Sequence, residues 1–527
     1  MIERVIDHWL TETDERGFQI PFCQLLTLRG YRVVHVSKHG PQEQGKDIIA
    51  FDPKGEPCAY QLKVGDIGLG RWRSEVWPEV EELLDIPIEH PSVVAGAEHH
   101  SFLVTTGGLS DPVRRSITGR NRRREDSGRR PVHTIVGGQL LKDFVEASQD
   151  FLPRYLPDMR TFLELMTQDG REPLPKEQVS EFLAAVAPVE GDPKRRRLRR
   201  ASSVLLILTG YILGPFRQER NHWAVADGRA MALFHLLALA TRHDAVRDIQ
   251  PAVDLAREAV AAALAELEED ALAAEDILCP DSVFDGQVYG ARATILAGYM
   301  SAHRLSLLLA GSDEWRSEDV CEFLAAHRNS IRLVGEGSLP LLLCVFWYLT
   351  AAGCAPAARD LLAALTEAVA RASGSENTAP PTPYYDIETV LRREVQVLRE
   401  PITESFFRQS HVLESLVILS ARYGLREALE GCWSAITYIH LKEFAPADEW
   451  ETYLYRAQRG ELRTRLVQET QSWQALELEA STTAQEEIPR WLGQHPCVLM
   501  WLMVVFPHRL RPSSVKALDD ALCRAMG

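Results

Sequence analysis

The first 150 residues mix two hydrophobic periods, as a domain built from both helices and strands does. Some segments repeat apolar residues at helical spacing, whereas others are short and rich in β-branched residues, such as Tyr31 to Val36. This alternation predicts a small mixed sheet with helices on both faces. The predicted helices cover 2–12, 17–28 and 72–85 and begin again at Asp111 and Leu140; the predicted strands cover 31–36, 47–51, 58–64, 99–106 and 132–136.

The pattern changes after this region. Residues 176–527 are dominated by Ala, Leu, Glu and Arg at helical spacing, most clearly between Ala252 and Ala274. We therefore predict that helices form most of the chain. The predicted organisation is an α/β domain over 1–150, a helical and basic connector over 151–200, and a large all-α domain over 201–527, divided near the loop at 373–383.

Composition and charge restrict the classes of protein. Of the 527 residues, 46% are hydrophobic and 25% are charged, as in a soluble globular protein, which excludes a largely disordered chain. The net charge of −16 repels a polyanion as a whole. Any contact with nucleic acid therefore requires a local basic patch.

Cysteine usage and hydropathy address the cellular location. The nine cysteines are scattered without C-x-x-C spacing, and the first residues are polar, so we expect reduced thiols in a cytoplasmic protein. The most apolar runs, 339–355 and 498–506, are shorter than a membrane span of about 20 residues and predict buried helices with no membrane contact. A membrane-embedded protein using 339–355 is the less favoured alternative.

Three polar side chains come together on the predicted hairpin of strands 47–51 and 58–64. Asp47 begins the first strand, and Gln61 and Lys63, two apart on the second, point to one face beside it. The Asp47 carboxylate and the Gln61 amide are oxygen ligands of the kind that Mg²⁺ or Mn²⁺ prefers. Lys63 would orient or help to deprotonate an attacking water and stabilise negative charge. The set predicts metal-dependent hydrolysis of phosphodiester bonds, whereas the alternative is a turn residue beside the solvated face of an edge strand.

The residues Gly45-Lys46-Asp47-Ile48 and Gln61-Leu62-Lys63 resemble the PD-(D/E)XK nuclease superfamily, and within it the Mrr-like restriction endonucleases that carry Q-x-K. The helix and strand from Phe18 to Val33 and the strand and turn from Leu103 to Gly108 are also similar, so the resemblance covers residues 15–145. It implies a restriction-endonuclease-like fold and a Mg²⁺- or Mn²⁺-dependent endonuclease in bacterial restriction or anti-phage defence. DNA is the implied substrate, although the residues themselves do not distinguish DNA from RNA.

One position departs from the family. Its first helix commonly carries a metal-binding Glu, and Gln19 occupies the aligned position here, with Gln24 more than one turn later. An amide binds a divalent ion less strongly than a carboxylate, which implies a single metal or an impaired site. Gln19 has either a role in the site or the role of an ordinary helix-surface amide. The second hypothesis for the chain is therefore a catalytically inactive nuclease fold that binds nucleic acid or protein as a scaffold.

Arginines supply a candidate surface for the phosphate backbone of a nucleic acid. The alternative is a solvated basic loop paired with local acids. By analogy alone, the helical part would regulate the nuclease, form homo-oligomers, or recognise an activating trigger or partner protein. The candidate nucleic-acid-binding residues are Arg71, Arg73, Arg120, Arg122, Arg123 and Arg124.

Overall fold

A computed structural model of the chain divides into two compact units, Met1–Ala262 and Ala263–Gly527. The protein is mostly helical (66%), with one sheet of five strands and one of three. Residues 190–194 of the predicted connector and residues 375–381 of the predicted loop lie outside the described residues. The structure describes residues 2–37, 45–151, 156–187, 195–274, 285–374, 382–395, 408–468, 470–482 and 488–527.

A five-stranded mixed sheet organises the first 150 residues. Its spatial order follows the chain; the first three strands pair antiparallel, and the last three pair parallel. Parallel strands need long connections, and helices provide them here. The predicted mixed sheet is confirmed. The strands are β1 (Arg32–Val36), β2 (Ile48–Phe51), β3 (Pro57–Lys63), β4 (His100–Thr105) and β5 (Val132–Ile135).

Helices cover both faces of this sheet, as predicted. They are α1 (Ile2–Glu12), α2 (Glu15–Leu28), α3 (Leu69–Arg71), a π-helical turn (Trp72–Val76), α4 (Trp77–Asp85), α5 (Asp111–Asp126) and α6 (Gly137–Phe151). On one face, Phe22 of α2 contacts Tyr60 of β3, with ring centroids 5.7 Å apart. On the other face, Leu103 of β4 shares a buried core with Trp72 and Val80. Successive strand residues alternate between these two layers, so both faces of β3 are buried.

The helices that follow belong to the same unit as the sheet. Gly210 lies close to Pro21 of α2, and Tyr211 contacts Trp9 of α1 with ring centroids 4.4 Å apart. The predicted boundaries at 150 and 200 are therefore not confirmed, because this later helix buries the helices that cover the sheet. Hydrophobic periodicity does not reveal which earlier element a helix covers. These helices are α7 (Leu156–Met166), α8 (Lys176–Val186), α9 (Arg195–Ile212), α10 (Gly214–Gln218) and α11 (His222–Arg242); the next helix, α12 (Val246–Ala273), begins in the first unit and ends in the second.

The second unit is built around apolar helices. The indole of Trp347 in its core donates a hydrogen bond to the buried Asp519 carboxylate at 2.9 Å. The predicted buried runs at 339–355 and 498–506 correspond to α15 and α22 below, and most of the apolar residues of these two helices are buried. The helices are α13 (Asp285–Leu309), α14 (Glu318–His327), α15 (Leu339–Ala351), α16 (Ala355–Gly374), α17 (Ile387–Glu394), α18 (Leu413–Arg422), α19 (Arg426–Ile436), α20 (Trp473–Ser481), α21 (Arg490–Gln494), α22 (Pro496–Val505) and α23 (Pro512–Met526).

A three-stranded sheet corrects the prediction of an all-α domain over 201–527. It consists of β6 (Gln409–Ser410), β7 (His440–Pro446) and β8 (Gly460–Arg465), with β7 central. Every residue of β8 is exposed, and three of its six residues are charged. Backbone hydrogen bonds to β7 hold this strand in place. Because neither of its faces is buried, its sequence has no hydrophobic period from which a strand could be predicted.

One helix in the described part of the chain, α11, is long and apolar enough to cross a membrane. Of its apolar window, 94% is buried inside the protein. A core helix of a folded unit has the same composition.

Candidate active site

Asp47 lies where the start of β2 meets the end of β3. Its backbone N–H donates to the Tyr60 carbonyl at 2.9 Å, and its carboxylate Oδ2 accepts the backbone N–H of Leu62 at 2.6 Å. The antiparallel pairing of β2 with β3 fixes this position. The hairpin therefore brings Asp47 beside Gln61 and Lys63, as the spacing predicts.

Gln61 and Lys63 extend from the face of β3 that α4 covers. Ala59, on the same face, packs with Leu83 of α4. Gln61 is only 4% exposed, and its Oε1 is buried without a hydrogen-bond partner among the described residues. A buried acceptor without a donor is costly, so this oxygen is available to a cation or to a ligand donor.

Three glutamates surround the Lys63 ammonium. Nζ lies 2.8 Å from Glu79, 3.7 Å from Glu15 and 3.7 Å from Glu75. None of these three glutamates was predicted from the sequence. Glu15 could have been predicted as a site residue, because it precedes Gln19 by four residues and therefore lies one helical turn away on the same face of the helix. The other two come from the helical segment after β3, and tertiary packing alone brings them to the site.

Local structure directs these glutamates toward Lys63. Asp14 caps α2, and its carboxylate accepts the backbone N–H of Gly17 at 2.7 Å, which places Glu15 in the first turn of the helix. Glu75 lies in the π-helical turn Trp72–Val76, an element that occurs frequently at functional sites.

The charges in this cluster set the protonation of Lys63. Burial acts to lower the pKa of Lys63, but hydrogen bonding to Glu79 and the charges of Glu15 and Asp47 outweigh it and raise that pKa. Burial raises the pKa of Glu15 more than the charge of Lys63 lowers it. Lys63 is therefore a cation at neutral pH. It is suited to orient a water and stabilise negative charge rather than to accept a proton.

Gln19 links α2 to the strand beside Asp47. Its side chain is 7% exposed, and Nε2 donates to the Ser37 carbonyl at 3.3 Å. The Ser37 N–H in turn donates to the Asp47 carbonyl at 2.7 Å. The alternative of an ordinary helix-surface amide is wrong, because the amide is buried and positions the segment that carries Asp47.

We expect Gln19→Glu to lower the free energy of unfolding by about 1–3 kcal/mol, because an ionised carboxylate cannot donate to the Ser37 carbonyl. Urea unfolding measures the change. Gln474→Glu, at an exposed position of α20, is the control and is expected to change stability by less than about 0.5 kcal/mol. A loss no larger than that of the control would contradict a positioning role for Gln19.

Two of the predicted nucleic-acid-binding arginines contact a neighbouring helix. The Arg120 guanidinium lies 3.5 Å from the Trp77 ring centroid, and Arg124 forms an ion pair with Asp85 at 2.7 Å. Both contacts join α5 to α4. The alternative of pairing with acids applies to these two arginines, although the acids lie on α4 rather than in the same loop.

The remaining arginines are nearer to solvent. Arg71 donates to the backbone beside Lys63 and pairs with Glu75 at 3.1 Å, at the edge of the glutamate cluster. Arg73, Arg122 and Arg123 are exposed. Their role in binding nucleic acid stays a prediction.

The oxygen donors at Asp47 and Gln61 fit a hard divalent cation in their chemistry. The decisive observation is the buried Gln61 Oε1, which lacks a donor within the described ranges. In those same ranges, no group of three or more His, Cys, Asp or Glu side chains is arranged to hold a metal ion. The glutamates of the site are instead directed at Lys63.

Comparisons of this chain with protein-family models, with curated proteins and with solved structures found no match. The resemblance to PD-(D/E)XK nucleases therefore depends on the motif residues and on the geometry around Lys63.

Proposed function

We propose that the chain is a metal-dependent nuclease that hydrolyses phosphodiester bonds, with its catalytic centre at Asp47, Gln61 and Lys63. The observation that carries this proposal is a buried Lys63 ammonium beside Asp47 and the unpartnered Gln61 amide oxygen. Glu15 and Glu79 supply further acids at the same place. The site therefore has more carboxylates than the aligned Gln19 indicates.

Each residue has a distinct role in this proposal. Asp47 and Gln61 would hold Mg²⁺ or Mn²⁺, which when bound acts as a Lewis acid and lowers the pKa of a coordinated water. Lys63 orients the attacking water and stabilises the negative charge that develops on the phosphate. Glu79 and Glu15 keep Lys63 in place and charged.

DNA is the proposed substrate, and bacterial restriction or anti-phage defence is the proposed context. Because the net charge is −16, the phosphate backbone must meet local cations. Arg71 at the site edge and the exposed Arg73 next to it are placed along the same helical segment. In this proposal the helical remainder of a cytoplasmic protein regulates cleavage, through homo-oligomers, a partner protein or an activating trigger.

Cleavage of supercoiled plasmid by the full-length protein tests this function. We expect nicking or linearisation that requires Mg²⁺ or Mn²⁺, and a loss of at least about a hundredfold in Asp47→Asn, which keeps the shape but removes the charge. Lys54→Ala, in the exposed turn at the other end of the same hairpin, is the control and is expected to cleave like the wild type. Equal cleavage by Asp47→Asn and the wild type would refute the assigned centre.

The scaffold hypothesis also has an observation in its favour. Glu79 already neutralises Lys63 at 2.8 Å, and Gln19 is an amide. In that case the cluster is a structural ion-pair network, and nucleic acid binds without hydrolysis. A wild type that retains labelled DNA in a gel-shift assay but cleaves neither DNA nor RNA with either metal would favour the scaffold.

A further inference from the structure

Arg509 is a buried cation with unused hydrogen-bond donors in the second unit. It ends the turn Pro507–Arg509, and it is 4% exposed. Its Nη2 donates to the backbone carbonyls of Glu451 at 3.1 Å and Leu454 at 2.8 Å. Nε and Nη1 are buried without an acceptor among the described residues. Because a guanidinium carries five N–H donors, the three on these two atoms are unused.

The protein supplies little compensation for this charge. Burial lowers the pKa of Arg509 to about 10, against opposing contributions from Tyr384 and Glu451, so the side chain remains cationic at neutral pH. Besides its backbone carbonyl, Glu451 acts on Arg509 only through the charge of its carboxylate, and the buried Glu451 Oε2 has no hydrogen-bond partner in the described part of the chain. A buried charge with unused donors is costly, which indicates that acceptors come from outside the chain.

Aromatic side chains cluster around His508, the residue that precedes Arg509. Tyr384 stacks on His508, with ring centroids 5.3 Å apart and planes at 22°. Tyr455 meets the same imidazole edge-on at 5.2 Å, and His411 lies 5.4 Å from Tyr384. His508 is buried, whereas the two tyrosines and His411 are half-buried. Exposure therefore increases from Arg509 through this cluster toward solvent.

A second cation lies on the solvent side of the cluster. Arg456 is exposed, and its guanidinium lies 5.6 Å from the Tyr455 ring centroid. Burial raises the pKa of Tyr384, and the charges of Arg509 and Arg456 both act to lower it, so the hydroxyl experiences two cations. An anion approaching past Tyr384 would therefore meet positive charge at the surface and again in the interior.

We propose that Arg509 is the anion-binding residue of a small-molecule site, whose ligand carries a phosphate or carboxylate group. The guanidinium N–H donors suit the oxygens of either group, and a charge-assisted hydrogen bond in a buried place is strong. The half-buried tyrosines line the approach, and Arg456 attracts the ligand. This site is built from residues of the second unit and requires no nuclease activity.

Thermal unfolding of the full-length protein tests the site. Inorganic phosphate and acetate are titrated separately at constant ionic strength, with chloride as the reference. We expect at least one of the two to raise the Tm of the wild type by about 2 °C or more above its effect on Arg509→Met. Anions excluded from the protein surface stabilise any fold, and the Tm shift of Arg509→Met measures this general effect. The difference between the Tm shifts of the wild type and the variant therefore measures binding at Arg509. The anion that gives the difference identifies the ligand class.

Arg463→Met, at an exposed position of β8, is the matched control and should respond like the wild type. If Arg509→Met does not fold, Arg509→Lys replaces it; it keeps the charge but loses the guanidinium donors, and a reduced response is again expected. Equal responses in the wild type and the Arg509 variant, or no response to either anion, would overturn the proposal. Internal water would then be the partner of the unused donors.

Discussion

Replacing Lys63 with methionine is expected to abolish metal-dependent cleavage, with a loss of at least about a hundredfold. The side chain keeps a similar length but no longer stabilises negative charge on the phosphate. The same change removes the cation that Glu15, Glu75 and Glu79 surround. Breaking a fully buried ion pair costs about 3–5 kcal/mol. The glutamates here are partly exposed, and we expect a loss of about 1–3 kcal/mol.

The stability loss of Lys63→Met should depend on pH. The folded pKa of Lys63 is raised, so its contribution is present below its unfolded pKa of about 10.4 and is lost as pH rises through the folded value. The pKa of Glu15 is already raised by burial, and without Lys63 it should rise further. In the variant, the ionised Glu15 carboxylate lowers the free energy of unfolding, and this loss disappears when the carboxyl group is protonated. The deficit should therefore be largest near neutral pH and shrink as pH falls toward the ordinary Glu value of 4.5.

Lys63→Arg separates the chemical from the structural role. It retains a cation for the glutamates, so most of the stability should return, while the planar guanidinium replaces the compact ammonium at the phosphate and cleavage should stay low. Urea unfolding at pH 5 and pH 7 and plasmid cleavage are the two measurements. A Lys63→Met deficit that is equal at both pH values would contradict the ion-pair account.

The sheet of the first unit was predictable because its signals are local. The strand Pro57–Lys63 combines aromatic and apolar residues between a turn that contains Pro53 and Gly55 and the following Gly65, and Ser110-Asp111-Pro112 predicts the start of α5. The three-stranded sheet of the second unit was not predictable in this way. An exposed strand such as Gly460–Arg465 is stabilised by backbone pairing with its neighbour rather than by burial, so it shows no hydrophobic period.

The candidate site was predictable only in part for a similar reason. Asp47, Gln61 and Lys63 lie on one hairpin, so their proximity follows from strand geometry and turn length. Glu79 reaches Lys63 from a helix that folds back over the sheet, and no spacing in the sequence encodes that contact. The burial of Gln19 against Ser37 likewise depends on how α2 packs, which the helical pattern alone leaves undetermined.

Gly45→Ala is expected to destabilise the protein by about 3 kcal/mol, because two penalties act at this position. Gly45 has φ +70°, a conformation that costs an L-residue about 1–2 kcal/mol. An added Cβ would also lie 2.4 Å from the Glu79 carbonyl oxygen and 3.0 Å from the Leu83 nitrogen, both backbone atoms of α4. Overpacking of this kind costs about 1–3 kcal/mol, since neither backbone atom can move independently of the helix.

Gly55→Ala provides a control that separates the two penalties. Gly55 has φ +88° in the β2–β3 turn, and an added Cβ meets nothing within 4 Å, so only the backbone cost of about 1–2 kcal/mol applies. Urea unfolding of both variants gives the difference. Because Gly45 precedes Asp47 and its clash is with α4, which carries Glu79, Gly45→Ala should also lower cleavage under conditions where the protein is folded. Gly55→Ala should not. Equal stability losses for the two variants would show that α4 moves to accommodate the added methyl group, and that Gly45 is required only for its backbone conformation.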